Sequence, residues 1–388
     1  MTSARDVALR ALVRVDDGAY SNLVLPEALR RTSLSPRDRA FATDLVYGTL
    51  RAQRRLDTRL APHSRRPLDE LDPGALAALR LGAYQLECGV ASHAAVGETV
   101  AVAPPRARGY VNAVLRALAA TGPPWPALAN DGEALSYPDW IVRRLDADLG
   151  VEDARAALAV QNEAPLVTLR PNLRRTTAAA LIDELAGTAT VTRGTVAPEA
   201  VAVRGAGDPA ALDAVVEGRA TPQDQASQAV VALVGPEPAD RVLEVGAAPG
   251  GKATGLAERL TAGVVLALDA RAGRLSRIAP AARRLGLSTV HPVLGDGRRP
   301  PVAPAEMHRV LVDAPCSGLG VLRRRPEARW RVPEPGDALC ELQLDLLLGA
   351  STTVRRGGRL VYAVCTLTCS ETIGVAESAR AALGDFAP

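Results

Sequence analysis

The chain has 388 residues with 46 Lys+Arg against 43 Asp+Glu, a net charge of +3, so it is no polycation, and any nucleic-acid contact must use local arginine patches. Its 47% hydrophobic and 23% charged content is ordinary for a soluble protein, and its length allows two or three domains, each with its own core. No apolar run reaches the ~20 residues of a bilayer span, the N-terminus MTSARDVALR lacks a secretory h-region, and the five cysteines are well separated without a Cys-x-x-Cys pair. A membrane span, a disulfide framework and a metal site are therefore not expected, and free thiols fit a reducing cytoplasm.

From Ala4 to about Ala120 the pattern is helical throughout. Val7, Leu9, Leu12, Val13 and Val15 form one stripe, as a helix packed on a core requires. Ser35-Pro36-Arg37-Asp38 starts a second helix, with Phe41, Leu45, Val46 and Leu50 on one face, and Pro73 opens another carrying Leu76, Leu79, Leu81, Tyr84 and Leu86. Pro104-Pro105 breaks the chain before Tyr110 to Arg116. A helical bundle is expected. Arg51, Arg54, Arg55, Arg59, Arg65, Arg66, Arg106, Arg108 and Arg116 give it an arginine-rich face, which suits RNA phosphates and equally suits plain solvation.

Thr121 to Pro126 reads as a linker. Beyond it, two helical stretches end near Gln161, Leu166 to Arg170 alternates as a strand does, and Thr177 to Ala186 reads as a helix. Val191, Val201 to Val203 and Val215 are short strand or turn candidates. Residues 134–220 are expected to form a small α+β module between a helical domain, 1–133, and a third domain, 221–388.

From Thr221 apolar runs alternate with helical patterns: Val242–Val245, Val264–Leu268, Val290–Val293, Val310–Val312 and Leu360–Val364. That alternation predicts a parallel α/β sheet, whose ligands gather at the carboxyl ends of the strands. The residues following the runs are Gly246 to Lys252, Asp269, Asp296, Asp313 with Cys316, and Cys365, and they are expected to converge. Gly246-Ala247-Ala248-Pro249-Gly250-Gly251-Lys252 links a strand to a helix, where small residues admit a ligand to the backbone and free N–H groups suit a carboxylate or phosphate. It has neither dinucleotide nor P-loop spacing. With Asp269 one strand later, placed to take ribose hydroxyls, the turn fits S-adenosylmethionine. Lys252 is the only lysine in the chain; a crowded turn can use its compact ammonium where a guanidinium fork would not fit.

Two thiols at neighbouring strand ends, Cys316 and Cys365, suit covalent chemistry. Carbon 5 of cytosine accepts a methyl group only after a thiolate has added to carbon 6, with a carboxyl group helping at N3. Cys88, Cys340 and Cys369 are assigned to ordinary buried packing. Neither Ser317 nor Thr366 has an adjacent His to activate it.

These stretches together resemble the RsmB (Sun/Fmu) family of bacterial 16S ribosomal RNA cytosine-5 methyltransferases. The matching segments are GAAPGGK (Gly246 to Lys252), Gly295 to Arg298, DAPCSGLGVLRRRPEARW (Asp313 to Trp330) and YAVCTLTCSE (Tyr362 to Glu371). Upstream, Gly109 to Arg116 resembles the signature of the family's NusB-like RNA-binding domain, and Pro222 to Gln228 the entry to its Rossmann-like class I methyltransferase domain. The resemblance implies that Gly246 to Lys252 wrap the methionine end of S-adenosylmethionine, Asp269 holds the ribose and Asp296 lies near the adenine. It implies Asp313 at the methyl end and the target base, Cys365 as nucleophile and Cys316 in release. The implied partner is 16S ribosomal RNA; a cytoplasmic location, from the free thiols, and a monomer are also expected.

The sequence departs from the family at Gly246, usually Cys, at Glu244, usually Asp, and at Thr366, usually Ser. The family also continues past the helix after Cys365 with strands that complete the sheet, so an uncovered edge is expected where this chain ends at Pro388. A DNA cytosine-5 methyltransferase, attacking through Cys316, and a non-catalytic RNA-binding or antitermination-like factor are the alternatives. Arg323, Arg324, Arg325, Arg329 and Arg331 are expected to meet phosphates beside the active site.

Overall fold

A computed structural model describes residues 2–331 and 336–387. Its contacts divide the chain into two compact units, Met1–Pro165 with Gly318–Glu334, and Leu166–Ser317 with Pro335–Pro388. The division falls inside the stretch 134–220 that composition suggests as a module.

The first unit is helical. It contains α1 (Ala4–Asp16), α2 (Ser21–Arg30), α3 (Pro36–Leu60), α4 (Pro73–Glu87), α5 (Ser92–Val102), α6 (Arg108–Thr121), α7 (Asp131–Leu135), α8 (Asp139–Leu149) and α9 (Val151–Val160). The starts follow from capping: Ser35 Oγ accepts from Asp38 N with Pro36 in the first turn of α3, and Asp72 accepts from Gly74 N and Ala75 N in α4. Leu45, Leu56, Leu60, Leu79, Leu81 and Leu115 are fully buried, each contributing about 1.5–3 kcal/mol. Helices α4 and α6 meet closely at Gly82, where a Cβ would lie 2.3 Å from Leu115 Cδ1.

The expected arginine face is only partly present. Arg51 is buried, Arg54 pairs with Asp139 at 2.7 Å, and Arg55 and Arg59 converge on Glu87. Arg65, Arg66, Arg106, Arg108 and Arg116 are exposed.

In the stretch Gly318–Arg331 the expectation is overturned for Arg323, Arg329 and Arg331, which anchor it within the helical unit, while Arg325 is exposed. Arg329 is fully buried, stacks 3.8 Å from the Tyr137 ring and donates to the carbonyls of Arg51, Ser136 and Gln161. Arg331 donates to the carbonyls of Val15, Gly18 and Ala19, where α1 ends, and Arg323 donates to those of Glu163 and Ala164. Glu327 accepts from Ser21 N at 3.1 Å and Ser21 Oγ at 2.8 Å. Guanidinium donors directed at orphan carbonyls satisfy the chain itself and are not presented to phosphates.

The second unit opens with β1 (Val167–Pro171), α10 (Ala178–Leu185), β2 (Thr190–Arg193), β3 (Val201–Arg204), α11 (Asp213–Val216) and β4 (Ala220–Pro222). Its four strands form an antiparallel sheet in the order β2-β3-β1-β4. Val215, a strand or turn candidate by composition, lies in α11, because Leu212 to Val216 make helical backbone bonds.

Then follow α12 (Gln225–Val234), β5 (Arg241–Val245), α13 (Gly251–Ala257), β6 (Val264–Asp269), α14 (Ala272–Leu275), α15 (Ile278–Leu285), β7 (Val290–Leu294), β8 (Met307–Asp313), α16 (Asp337–Ser351), β9 (Val354–Ala363) and α17 (Val375–Ala382). The strands form a five-stranded sheet in the order β7-β6-β5-β8-β9, parallel at every pairing. The chain winds outward from β5 to β6 and β7, then crosses back to β8 and β9. That reversal beside β5 opens a crevice at the carboxyl ends of β5 and β8. The Rossmann-like sheet expected from the alternating runs is present. Among the described residues, no helix is long and apolar enough to cross a membrane.

Candidate active site

The turn after β5 is shaped by its glycines. Gly246 has φ +79°, and a Cβ there would lie 2.2 Å from the carbonyl oxygen of Asp313, so β5 and β8 touch where a side chain would part them. Gly250 has φ +103° and caps α13. At the end of β6, Asp269 is buried and accepts from Ala248 N at 3.2 Å and Arg271 N at 2.9 Å, which locks the acid to the glycine turn. Asp296, after β7, is more exposed and pairs with Arg298 at 2.8 Å, which holds its carboxyl below the ordinary range.

The expected residues of β5, β8 and β9 come together. Lys252 Nζ donates to Asp313 Oδ2 at 2.6 Å. Burial works against the ammonium, but Asp313 outweighs it and raises the Lys252 pKa, so Lys252 keeps its charge. The Sγ atoms of Cys316 and Cys365 lie 3.2 Å apart, and Cys365 N donates to Cys316 Sγ at 3.2 Å. The hydrogen bond from Cys316 lowers the Cys365 pKa to about 7; Lys252 acts in the same direction, while burial and Asp313 oppose it. A thiol tuned close to neutrality, at the exposed end of a strand, is a reactive one.

Of the other three cysteines, Cys340 packs against the apolar core as expected, whereas Cys88 departs from the expected buried packing. Cys88 ends α4 and is exposed, while Cys340 and Cys369 are half-buried. A position at a helix end leaves the Cys88 thiol without core around it.

Three functional residues escaped sequence reasoning. Arg170 of β1 donates to Gly251 O at 2.5 Å, to Thr254 Oγ1 at 3.0 Å and in two bonds to Glu258, so it fastens the start of α13. Glu371 accepts from Ser317 beside Cys316, and Gln343 donates both to Glu371 and to Pro315 O. Only Glu371 carried a local signal, the Thr368-x-x-Glu371 spacing of a reciprocal cap.

Glu244, inside β5, is wholly buried, and neither carboxyl oxygen has a hydrogen-bond partner. Burial, reinforced by Asp313, raises its pKa well above the ordinary range, so the acid is held neutral. A carboxyl group with a raised folded-state pKa binds a proton that the unfolded chain releases above about pH 4.3. It therefore subtracts stability as pH rises. Glu244→Gln should accordingly gain on the wild type as pH rises above the unfolded value of about 4.3, by up to about 1.4 kcal/mol per pH unit. Urea titrations at several pH values would measure this, and parallel stability–pH curves would mean that Glu244 carries its charge in the fold.

Comparison with known proteins agrees with this geometry. The family model described as 16S rRNA methyltransferase RsmB/F matches residues 231–383, the NusB family matches 2–120, and an RsmF/B-like ferredoxin-like domain matches 137–208. The chain is 34% identical to the probable ribosomal RNA small subunit methyltransferase B of Bacillus subtilis, covering 100% of this chain and 90% of that protein. It is 37% identical to ribosomal RNA small subunit methyltransferase B of Thermus thermophilus, covering 99% and 89%. Among solved structures, that of PH0851 superposes with a TM-score of 0.83 at 24% identity, covering 99% of this chain and 90% of the other. NSun6 from Pyrococcus horikoshii with SFG gives 0.55 at 20% identity, covering 62% and 86%.

The parallel sheet, its glycine turn and the acid of β6 define a Rossmann-like methyltransferase, and the Cβ-free cradle at Gly246 and Gly250 fits its methyl donor, S-adenosylmethionine. By identity and coverage the chain belongs to the ribosomal RNA small subunit methyltransferase B family. It is an RNA methyltransferase with a NusB helical portion.

Proposed function

We propose that the protein methylates carbon 5 of a cytosine in 16S ribosomal RNA through a covalent adduct with Cys365. The observation that carries this reading is the thiol pair, 3.2 Å apart, with one member lowered to about 7. Structural packing needs no such tuning, and nucleophilic attack does.

S-adenosylmethionine supplies an electrophilic methyl group when bound; Gly246, Ala247, Ala248, Pro249, Gly250, Gly251 and Lys252 would line its methionine end, Asp269 its ribose and Asp296 its adenine. The Cys365 thiolate adds to carbon 6 of the cytosine, forming a carbon–sulfur bond and pushing the electron pair towards N3 and carbon 5. Asp313, held by Lys252, meets the ring as the carboxyl group that aids addition at N3, and the neighbouring Lys252 ammonium stabilises the negative charge that develops there. Once carbon 5 is methylated, its proton goes to a base, the electron pair returns, and the carbon–sulfur bond breaks. Cys316 is placed to serve this release, because its thiol lies against the departing sulfur. The exposed Arg65, Arg66, Arg106, Arg108, Arg116 and Arg325 remain candidates for RNA phosphates.

Incubation with methyl-labelled S-adenosylmethionine and unmodified 16S ribosomal RNA, followed by nucleoside analysis, tests the reading. Label should appear in 5-methylcytidine. Label at another ring position, or preferential transfer to DNA, would overturn it.

A further inference from the structure

Between the two thiol-bearing loops lies a buried anion. Glu371 occupies a π-helical turn, Ser370–Gly374, and is fully buried. Its Oε2 accepts from Ser317 N at 2.8 Å and Gln343 Nε2 at 3.0 Å; its Oε1 accepts from Ser317 Oγ at 2.5 Å and Thr368 Oγ1 at 2.9 Å. Burial opposes the charge, yet these donors, Ser317 first, outweigh it and hold the carboxyl below its ordinary range. Gln343 is itself fixed by Tyr362 OH at 3.0 Å and donates to Pro315 O at 2.9 Å. One carboxylate thus ties the loop after β8 to the loop after β9.

The bonds are unequal. Ser317, next to Cys316, gives Glu371 both its backbone N–H and its hydroxyl, whereas Thr366, next to Cys365, reaches it only at 3.4 Å. Cys365 stands two residues beyond the end of β9 and Cys316 three residues beyond the end of β8, so the hydrogen bonds to Glu371, and not the distance from a strand, distinguish the two loops. Glu371 has no exposed surface, and its oxygens are occupied, so it cannot itself take the carbon-5 proton.

We propose that Glu371 is a positioning residue that holds the Cys316 thiol against Cys365, so that breakdown of the covalent adduct depends on it more than formation does. This rests on the proposed roles of the two cysteines. Removing the carboxylate takes two short hydrogen bonds from the residue beside Cys316 and only one long one from the residue beside Cys365.

The test compares Glu371→Gln, Ser317→Ala and Cys316→Ala in the full chain. Incubated with S-adenosylmethionine and 16S ribosomal RNA, Glu371→Gln should lose about 100-fold in turnover, the scale of a misplaced reacting group, while an RNA–protein adduct accumulates as in Cys316→Ala. Ser317→Ala should show the same change in smaller degree, and it decides the matter if Glu371→Gln does not fold. A second readout needs no methyl transfer: diamide oxidation of wild type, with peptide mapping of the Cys316–Cys365 disulfide, gauges thiol proximity. Crosslinking should slow at least about tenfold in Glu371→Gln if the thiols separate by about 1 Å or more. If Cys316→Ala traps an adduct while Glu371→Gln and Ser317→Ala trap none and crosslink at the wild-type rate, the positioning role is refuted. If Cys316→Ala traps none, the cysteine assignment fails instead, and the crosslinking rate alone then decides whether Glu371 sets the thiol spacing.

Discussion

Cys365→Ala is expected to bind S-adenosylmethionine and RNA, to lose about 10⁴-fold or more in methyl transfer, and to form no covalent adduct. Cys316→Ala should differ in kind: attack on carbon 6 and methylation proceed, release stalls, and RNA stays attached to Cys365 through a denaturing gel. The double variant should give no adduct, since attack precedes release. The pH dependence separates the variants further. The Cys316 hydrogen bond is the main cause of the lowered Cys365 pKa of about 7, so removing it returns that thiol towards about 8.5. Adduct formation by Cys316→Ala should therefore rise with pH over a higher range than the single-turnover rate of the wild type, and an assay at pH 7 alone would underestimate it. An adduct trapped by Cys365→Ala and absent from Cys316→Ala would make Cys316 the nucleophile.

The parts of this site that could be read in the sequence share a physical feature: each lies at, or a few residues beyond, the end of an apolar run. Parallel strands share one carboxyl edge, so Gly246, Asp269, Asp296, Asp313 and Cys316 could be assigned to that edge without any knowledge of side-chain contacts. Cys365 follows by the same rule from the run ending at Val364. Contacts that depend on how distant segments pack were not legible. Lys252 stood out as the lone lysine, but its partner Asp313 is 61 residues away and no periodicity predicts the pairing. The arginines at 323, 329 and 331 were misread for the same reason, because composition counts guanidinium groups without saying where they point. Arg329 makes its bonds to carbonyls 168 to 278 residues distant. The lower-order parts of the fold, such as the starts of α3 and α4, were legible because capping is local in sequence.

Arg170 lies between those cases, and its replacement should have the largest effect on stability. The side chains of Arg170 and Glu258 are 5% and 1% exposed and joined by two bonds, at 2.8 and 3.0 Å. Burial raises the Glu258 pKa, and Arg170 is the main influence opposing that rise. Arg170→Met leaves the acid buried without its partner, at a cost of about 3–5 kcal/mol, or roughly 6–20 °C in melting temperature for a unit of this size. The sign with pH follows. With Arg170 gone, the folded-state pKa of Glu258 rises further above the unfolded value, so the folded chain holds a proton the unfolded chain has released, and the defect grows as pH rises through and above the unfolded value. Adding Glu258→Leu removes the stranded acid and should restore most of the stability, since a buried pair exchanged for apolar residues is often neutral. Cofactor affinity should not return with it. Arg170 also donates to Gly251 O and Thr254 Oγ1 at the turn proposed to receive S-adenosylmethionine, and the double variant still lacks those bonds. Calorimetric melting and cofactor titration of both variants would separate the two roles; a double variant that regains affinity along with stability would reduce Arg170 to half of an ion pair.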